Sequence, residues 1–221
     1  KDYLDAKLYL FRNLIKKKGN IITDSKIPEF VEIKKIAKKK FLKLNTIEGK
    51  NEKLKILTHS FHDESQILKI KYKSLVKHIR INLIGKIQIK NILMALIAAE
   101  KSGLNLNKIL NVLPSLKPIE GRFEKVGMIK NKSKVVLDYA HTPDALKTCL
   151  LNLKEQFPDK KIISLFGCGG NRDQNKRSKM GKIADMFSDE IYLTDDNPRF
   201  ESSYKIRKDI RTGIKKTKVI E

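Results

Sequence analysis

Tryptophan is absent from the 221 residues, and phenylalanine and tyrosine bring the aromatic fraction to only 7%. A surface that stacks successive bases of a single nucleic-acid strand is therefore poorly supplied. Two cysteines, Cys149 and Cys168, are too few for a disulfide framework or a cysteine metal cluster. The pattern places Cys149 on an apolar helix face and Cys168 in a glycine turn, and a reducing cytoplasm is the expected compartment. No apolar run approaches the ~18 residues of a membrane span. No signal peptide is visible, so no membrane partner is expected.

Basic residues number 48 against 25 acidic ones, a formal net charge of +23. One explanation is nucleic-acid binding. The other is a drift toward lysine that covers the surface with solvated ammonium groups. The excess is mostly lysine and is scattered through predicted helices and strands, which favours the second explanation. The chain opens at Lys1 without an initiator methionine and stops at Glu221 where a strand is beginning, so a fragment of a longer protein is expected.

Residues 1–18 predict an amphipathic helix with Leu4, Leu8, Phe11, Leu14 and Ile15 on one face, ended by Gly19. A short buried strand is predicted at 21–23. From 30 to 90, β-like stretches (FLKLNTI, ILKIKYKSL, IRINLIG) alternate with lysine-rich turns. A helix over 87–103 ends at Gly103, and a second one, LNKILNVLPSL, stops near Pro114 to Pro118. GRFEKVGMIKNKSK then predicts a hairpin or linker, with a domain boundary at about residue 125.

The second half alternates strand and helix. Strands are predicted at 135–139, 162–166 and 190–194. Helices run from Thr142-Pro143-Asp144 to about Gln156, from about Lys176 to Phe187, and from Ser202 to Thr212. A hydroxyl cap, a first-turn proline and a first-turn carboxylate make Thr142-Pro143-Asp144 a strong helix start. Apolar runs of this length between helices argue a parallel sheet covered on both faces, in a Rossmann-like α/β arrangement.

Three polar blocks fall where these strands should end: DYAHTPDAL at 138–146, FGCGGNRD at 166–173 and DDNPRFE at 195–201. In an open α/β sheet that edge is where ligands bind. FGCGGNRD carries neither GK[ST] nor GxGxxG, so a Walker loop and a dinucleotide fingerprint lack support. A tight turn using positive φ would explain its glycines. Arg172 and Asp173 add more, because a fixed guanidinium beside backbone amides suits a carboxylate or phosphate. Asp195, Asp196, Asn197, Pro198 and Arg199 exceed what a helix cap needs. They could grip a ligand carrying both an ammonium and a carboxylate, such as an amino acid. Taken alone, Asp138 and His141 are as readily a strand-end acid and a helix-start histidine.

In this order and spacing, DYAHTPDAL, FGCGGNRD-x2-KR-x2-MG and TDDNPR closely resemble the C-terminal domain of the Mur ligase family, in its tripeptide-forming, MurE-type branch. GRFE at 121–124 is similar to the family's element at the junction of its central and C-terminal domains. Asn91 fits the second Asn of its NxxN helix start, where Gln88 replaces the first. YLDAKLYLF at 3–11 resembles the central-domain helix bearing a carbamylated lysine, which points to Lys7. The resemblance implies the C-terminal part of the central, ATPase-type α/β domain at 1–124. It implies a Rossmann-like amino-acid-binding domain, incomplete at its end, at 125–221. The family's GxxGK[ST] loop does not occur in the chain and would lie upstream.

The implied reaction is ATP-dependent amide ligation, with Mg²⁺, between a UDP-linked muramyl dipeptide and meso-2,6-diaminopimelate through an acyl phosphate. The implied diaminopimelate contacts are Arg172, Asp196, Asn197, Pro198 and Arg199. Asn91, Arg122, Asp138 and His141 would serve ATP, His141 also being a catalytic candidate. Lys7, as a carbamate, would be a catalytic group and hold Mg²⁺. The DNPR form resembles diaminopimelate-adding members, because lysine-adding ones carry another residue in place of the arginine. A second carboxylate distinguishes diaminopimelate from lysine, and a guanidinium binds such a group in a forked way. The implied enzyme is a cytoplasmic monomer without a nucleic-acid partner, and the fragment alone is expected to be inactive. Competing readings are a lysine-adding or folylpolyglutamate-type ligase, and a basic nucleic-acid-binding module.

Overall fold

The computed structural model describes residues 2–47, 54–72, 74–129 and 132–221. The chain divides into two compact units, Lys1–Lys117 and Pro118–Glu221. In the first, α1 (Asp2–Tyr9) runs into a π-helical turn over Leu10–Leu14. The single helix predicted over 1–18 is thus cut short. The Ile15 N–H closes a wide ring onto the Leu10 carbonyl at 3.1 Å, and the backbone turns extended at Ile15. The wider turn shifts the apolar stripe around the axis, leaving Leu8 buried and Leu14 in solvent.

β1 (Asn20–Asp24) and β2 (Lys43–Ile47) pair in parallel, joined through α2 (Phe30–Lys39). Ile33, Ile36 and Ala37 share one face of α2 at helical spacing and pack with Leu8, Ile21 and Leu42. β3 (Leu54–His62), β4 (Ser65–Tyr72) and β5 (Leu75–Ile81) form an antiparallel meander with β4 in the middle. Alternate residues of β4, namely Gln66, Leu68, Ile70 and Tyr72, point into the core. Gln66 is buried at little cost because its amide donates to the Leu83 and Gly85 carbonyls at 2.8 and 3.1 Å.

α3 (Ile87–Lys101) lays Ile89, Ile92, Leu93, Leu96 and Ile97 on that core. It ends as predicted at Gly103, whose φ of 92° a side chain would resist. The Leu104 N–H reaches back to the Ala99 carbonyl at 3.1 Å, closing the last turn. α4 (Leu106–Val112), capped by Asn105, and a 3₁₀ turn at Leu113–Ser115 complete this unit.

In the second unit β6 (Glu124–Ile129) and β7 (Ser133–Leu137) pair antiparallel. Positions 130 and 131 of the predicted hairpin lie outside the described residues. Then follow α5 (Pro143–Gln156), β8 (Ile163–Phe166), α6 (Lys176–Phe187), β9 (Glu190–Leu193), α7 (Ser203–Arg211) and β10 (Lys218–Ile220). Among the described residues the parallel sheet has three strands in the order β10-β9-β8. The sequence predicts VVLDY as a further member; its strand pairs with β6 instead, because a short connection favours the antiparallel neighbour.

One face of that sheet packs on the helices. Ile191 and Leu193 are buried with Leu146 and Leu150 of α5, Met180 and Ala184 of α6, and Ile206 and Ile210 of α7. The other face is not covered at β8, where Leu165 is 71% exposed, so the prediction of helices on both faces fails there. No helix among the described residues is long and apolar enough to cross a membrane.

Candidate functional site

β8 and β9 lie side by side and parallel, with Phe166 opposite Leu193. The loops that follow them, 167–175 and 194–202, therefore leave the same sheet edge. They interlock. The Gly170 N–H donates to the Asn197 carbonyl at 2.9 Å, and the Phe200 N–H to Asn171 Oδ1 at 3.0 Å. A Cβ at Gly167 would lie 2.3 Å from the Thr194 carbonyl oxygen, and one at Gly170 would lie 1.8 Å from that of Pro198. These glycines serve close approach of two backbones. They are not the positive-φ residues that the sequence predicts; that conformation falls to Asn171 and Arg199, each at φ 50°. Asparagine tolerates it better than most residues.

Arg199 Nη1 donates to the Gly170 carbonyl at 2.8 Å, laying the guanidinium across the glycine turn. Its own N–H donates to Asn197 Oδ1 at 3.1 Å, and the Asn197 N–H to Asp196 Oδ1 at 2.7 Å. Arg172, Asp196, Asn197 and Arg199 are exposed and Pro198 is half-buried. The sheet edge thus carries all five residues assigned to the amino acid on two locked loops, with Asp196, Asn197, Pro198 and Arg199 on one and Arg172 on the other. Asp195 is turned away into an ion pair with Arg207 of α7.

Arg177, which sequence reasoning passes over, is fully buried at 0% exposure. Its Nη1 and Nη2 meet the two oxygens of Glu201 at 2.9 Å each, and Nη1 also donates to Asp209 Oδ2 at 2.9 Å. Glu201 further accepts the Asn171 N–H and the Gln174 side-chain amide. With these donors around it the Glu201 carboxyl is held below its usual range, Arg177 first among the causes. A readable signal exists. Arg177 stands on the α6 face that buries Met180, Gly181 and Ala184, at spacings of three, four and seven.

A second cluster forms around DYAH. The Phe123 N–H donates to Asp138 Oδ2 at 3.1 Å, with Phe123 buried and at φ 47°. Glu124 accepts the Gly121 N–H at 2.8 Å, so GRFE folds on itself and turns Arg122 outward. The Arg122 guanidinium lies 4.6 Å from the Tyr139 ring centre, and Tyr139 meets His141 edge-on at 5.1 Å. Lys176 Nζ donates to the His141 carbonyl at 2.8 Å, tying this loop to the start of α6. Three of the residues assigned to ATP, Arg122, Asp138 and His141, are therefore neighbours.

In the first unit Lys7 is exposed on α1 with Nζ 4.5 Å over the Tyr3 ring. Asn91 is exposed on α3, where its amide donates to Gln88 Oε1 at 3.4 Å. These two sit on separate elements. Among the described residues no group of three or more His, Cys, Asp or Glu side chains could hold a metal ion.

Residues 1–99 match the Mur ligase middle domain, and residues 121–221 match the family's "Mur ligase, glutamate ligase domain". The chain is 37% identical over 221 residues to a Rickettsia bellii protein named UDP-N-acetylmuramoyl-L-alanyl-D-glutamate--2,6-diaminopimelate ligase, covering all of this chain and 46% of that one. A Zymomonas mobilis protein of the same name is 34% identical over 211 residues, covering 96% and 43%. The chain thus spans less than half the length of these curated relatives. A solved structure of a ligase of that name aligns at 28% identity with a TM-score of 0.61, covering 99% of this chain and 45% of that one. MurF from Acinetobacter baumannii, at 16% identity, has a TM-score of 0.75 over 98% of this chain and 45% of its own, a likeness of fold alone. Two domain matches that together take in nearly all of the sequence, on a fold the family shares, leave one conclusion: the chain belongs to the Mur ligase family.

Proposed function

We propose that this chain is the C-terminal part of the central, ATP-binding domain (1–124) and most of the amino-acid-binding domain (125–221) of a cytoplasmic ligase. The ligase adds meso-2,6-diaminopimelate to UDP-N-acetylmuramoyl-L-alanyl-D-glutamate in peptidoglycan precursor synthesis. The observation that carries the reading is the interlocked pair of loops, with Arg199 beside Asp196 and Asn197 and laid across the glycine turn. The names of relatives at 34–37% identity point the same way.

ATP gives its γ-phosphate to the muramyl dipeptide's carboxylate, leaving ADP and an acyl phosphate. The amine of diaminopimelate attacks that acyl carbon, and phosphate departs as the amide forms. The amino acid is held at both ends. Asp196 and Asn197 serve the ammonium end, with Pro198 fixing the loop, while Arg199 and Arg172 take the distant carboxylate. Lysine lacks that carboxylate and would leave the guanidinium groups unmatched. Within the second unit Arg122, Asp138 and His141 serve ATP, His141 also being the catalytic candidate; Asn91 of α3 is assigned to ATP separately.

Magnesium takes oxygen ligands and supplies charge neutralisation at the phosphates when bound. An ammonium at Lys7 does not fit it. A carbamate there does, and the exposed position on α1 leaves the amine open to carbon dioxide.

The test is the thermal midpoint of the chain with millimolar meso-diaminopimelate, L-lysine or L-glutamate. A ligand that binds only the folded form raises the midpoint. A rise with diaminopimelate alone fits the proposal; a rise with glutamate alone would move the chain to the folylpolyglutamate branch.

A further inference from the structure

We propose that Arg177 and Glu201 form an ion-pair clasp that locks the loop carrying Arg199 onto the glycine loop, which makes Arg177 a positioning residue for amino-acid binding. The assignment of a ligand to those loops rests on the function proposed above; the clasp itself is read from geometry. Arg177 is the second residue of α6, just after the glycine loop, and Glu201 ends the DDNPRFE block. The two guanidinium nitrogens meet the two carboxylate oxygens at 2.9 Å, a forked arrangement that fixes direction as well as distance.

Glu201 is the hub of the contact. The Asn171 N–H, the Gln174 amide and Arg177 all donate to it, so three positions along the glycine loop and the start of α6 converge on one carboxylate. Asp209 of α7 accepts from Arg177 Nη1, the nitrogen that also meets Glu201, at 2.9 Å. The clasp therefore joins both loops to α6 and α7, two of the three helices that pack on the sheet.

A buried ion pair contributes little net stability, because desolvation offsets the attraction. Arg177 also leaves its buried Nε–H without a partner. What such a pair does supply is one register out of several. Here that register puts the Asn197 carbonyl on the Gly170 N–H and the Gly170 carbonyl under Arg199. A lysine at 177 would offer a point charge and could not bridge Glu201 and Asp209 in the same way.

The experiment compares the 221-residue chain with Glu201→Gln and Arg177→Lys by amide hydrogen exchange and by calorimetric titration with meso-diaminopimelate. The reporter is the Gly170 N–H, which neither substitution touches. The clasp predicts exchange at Gly170 at least tenfold faster in both variants, with Ile191 and Leu193 of β9 still protected, and a tenfold or greater loss of affinity. Unchanged exchange at Gly170, or faster exchange with affinity kept within twofold, overturns it. If Arg177→Lys also loses protection in β9, Glu201→Gln decides, since its change lies at the loop and outside the helix core. If the unsubstituted chain ignores diaminopimelate, the ligase reading fails, and the exchange ratio at Gly170 alone decides the clasp.

Discussion

The Arg199 guanidinium rests on the carbonyl of Gly170 at 2.8 Å, while the Gly170 N–H is bonded to the carbonyl of Asn197, two residues before that arginine. The glycine loop and the arginine loop are thus one object. The first gives backbone polar groups, space and Arg172; the second gives Asp196, Asn197 and Arg199. Diaminopimelate recognition, on this account, needs both loops at once.

Gly170→Ala should separate them. The new methyl would meet the Pro198 carbonyl oxygen at 1.8 Å, and backbone on both sides cannot yield cheaply. Overpacking of this kind costs about 1–3 kcal/mol. Chemical denaturation should show that loss, together with weaker diaminopimelate binding. Unchanged stability would mean that the loops do not touch in solution.

Gly169→Ala should behave differently. The nearest atom to a Cβ there is Arg199 Nη1 at 2.8 Å, the movable end of a long side chain. The arginine is displaced and the fold is spared. Denaturation should change by less than about 1 kcal/mol, within the usual range for surface substitutions, while diaminopimelate affinity falls.

Asp185 gives the second unit an acid limit. Burial works against ionisation of its carboxyl, but the Thr217, Lys216 and Lys215 N–H groups overcome that and hold it down at about 2. A carboxyl whose folded pKa lies below its unfolded value stabilises fully above about pH 4, and the benefit drains away as pH falls toward the folded value. Melting curves from pH 5 to pH 2 should therefore fall more steeply for the unsubstituted chain than for Asp185→Asn. Parallel slopes would contradict this.

Cys149 should be inert in the folded chain. Burial, aided by the negative charge of Asp138, pushes its thiol up to about 12, and Cys168 is raised by burial as well. Only the thiolate attacks. A thiol reagent at pH 8 should label neither cysteine until denaturant is added. Rapid labelling under native conditions would mean that α5 opens readily.

The helices of the second unit were legible because their signals are local, whereas α2 was missed, its lysine-rich segment being read among β-like stretches and turns. Thr142-Pro143-Asp144 announces α5, and the Thr142 hydroxyl does accept the Ala145 N–H. α6 spans the predicted residues because its apolar face repeats at helical spacing. Strand partners were not legible. An apolar run such as VVL fits either sheet equally, and the pairing of β7 with β6 depends on the chain nearby. The reason for the glycines also lay out of reach. Their constraint is a backbone almost thirty residues further on, at Pro198. Arg177 was hidden by company, one basic residue among many in a chain with 48, although its helical spacing marked it as facing inward.

The most direct test of the account is a calorimetric titration of meso-diaminopimelate and of L-lysine into the chain and into Arg199→Ala. A hydrogen bond to a charged group contributes about 1.5–3 kcal/mol, which is about tenfold to a hundredfold in affinity. The account predicts that diaminopimelate binds at least tenfold more tightly than lysine and that Arg199→Ala removes this preference. Equal affinity for the two amino acids, or a preference that survives Arg199→Ala, would contradict it.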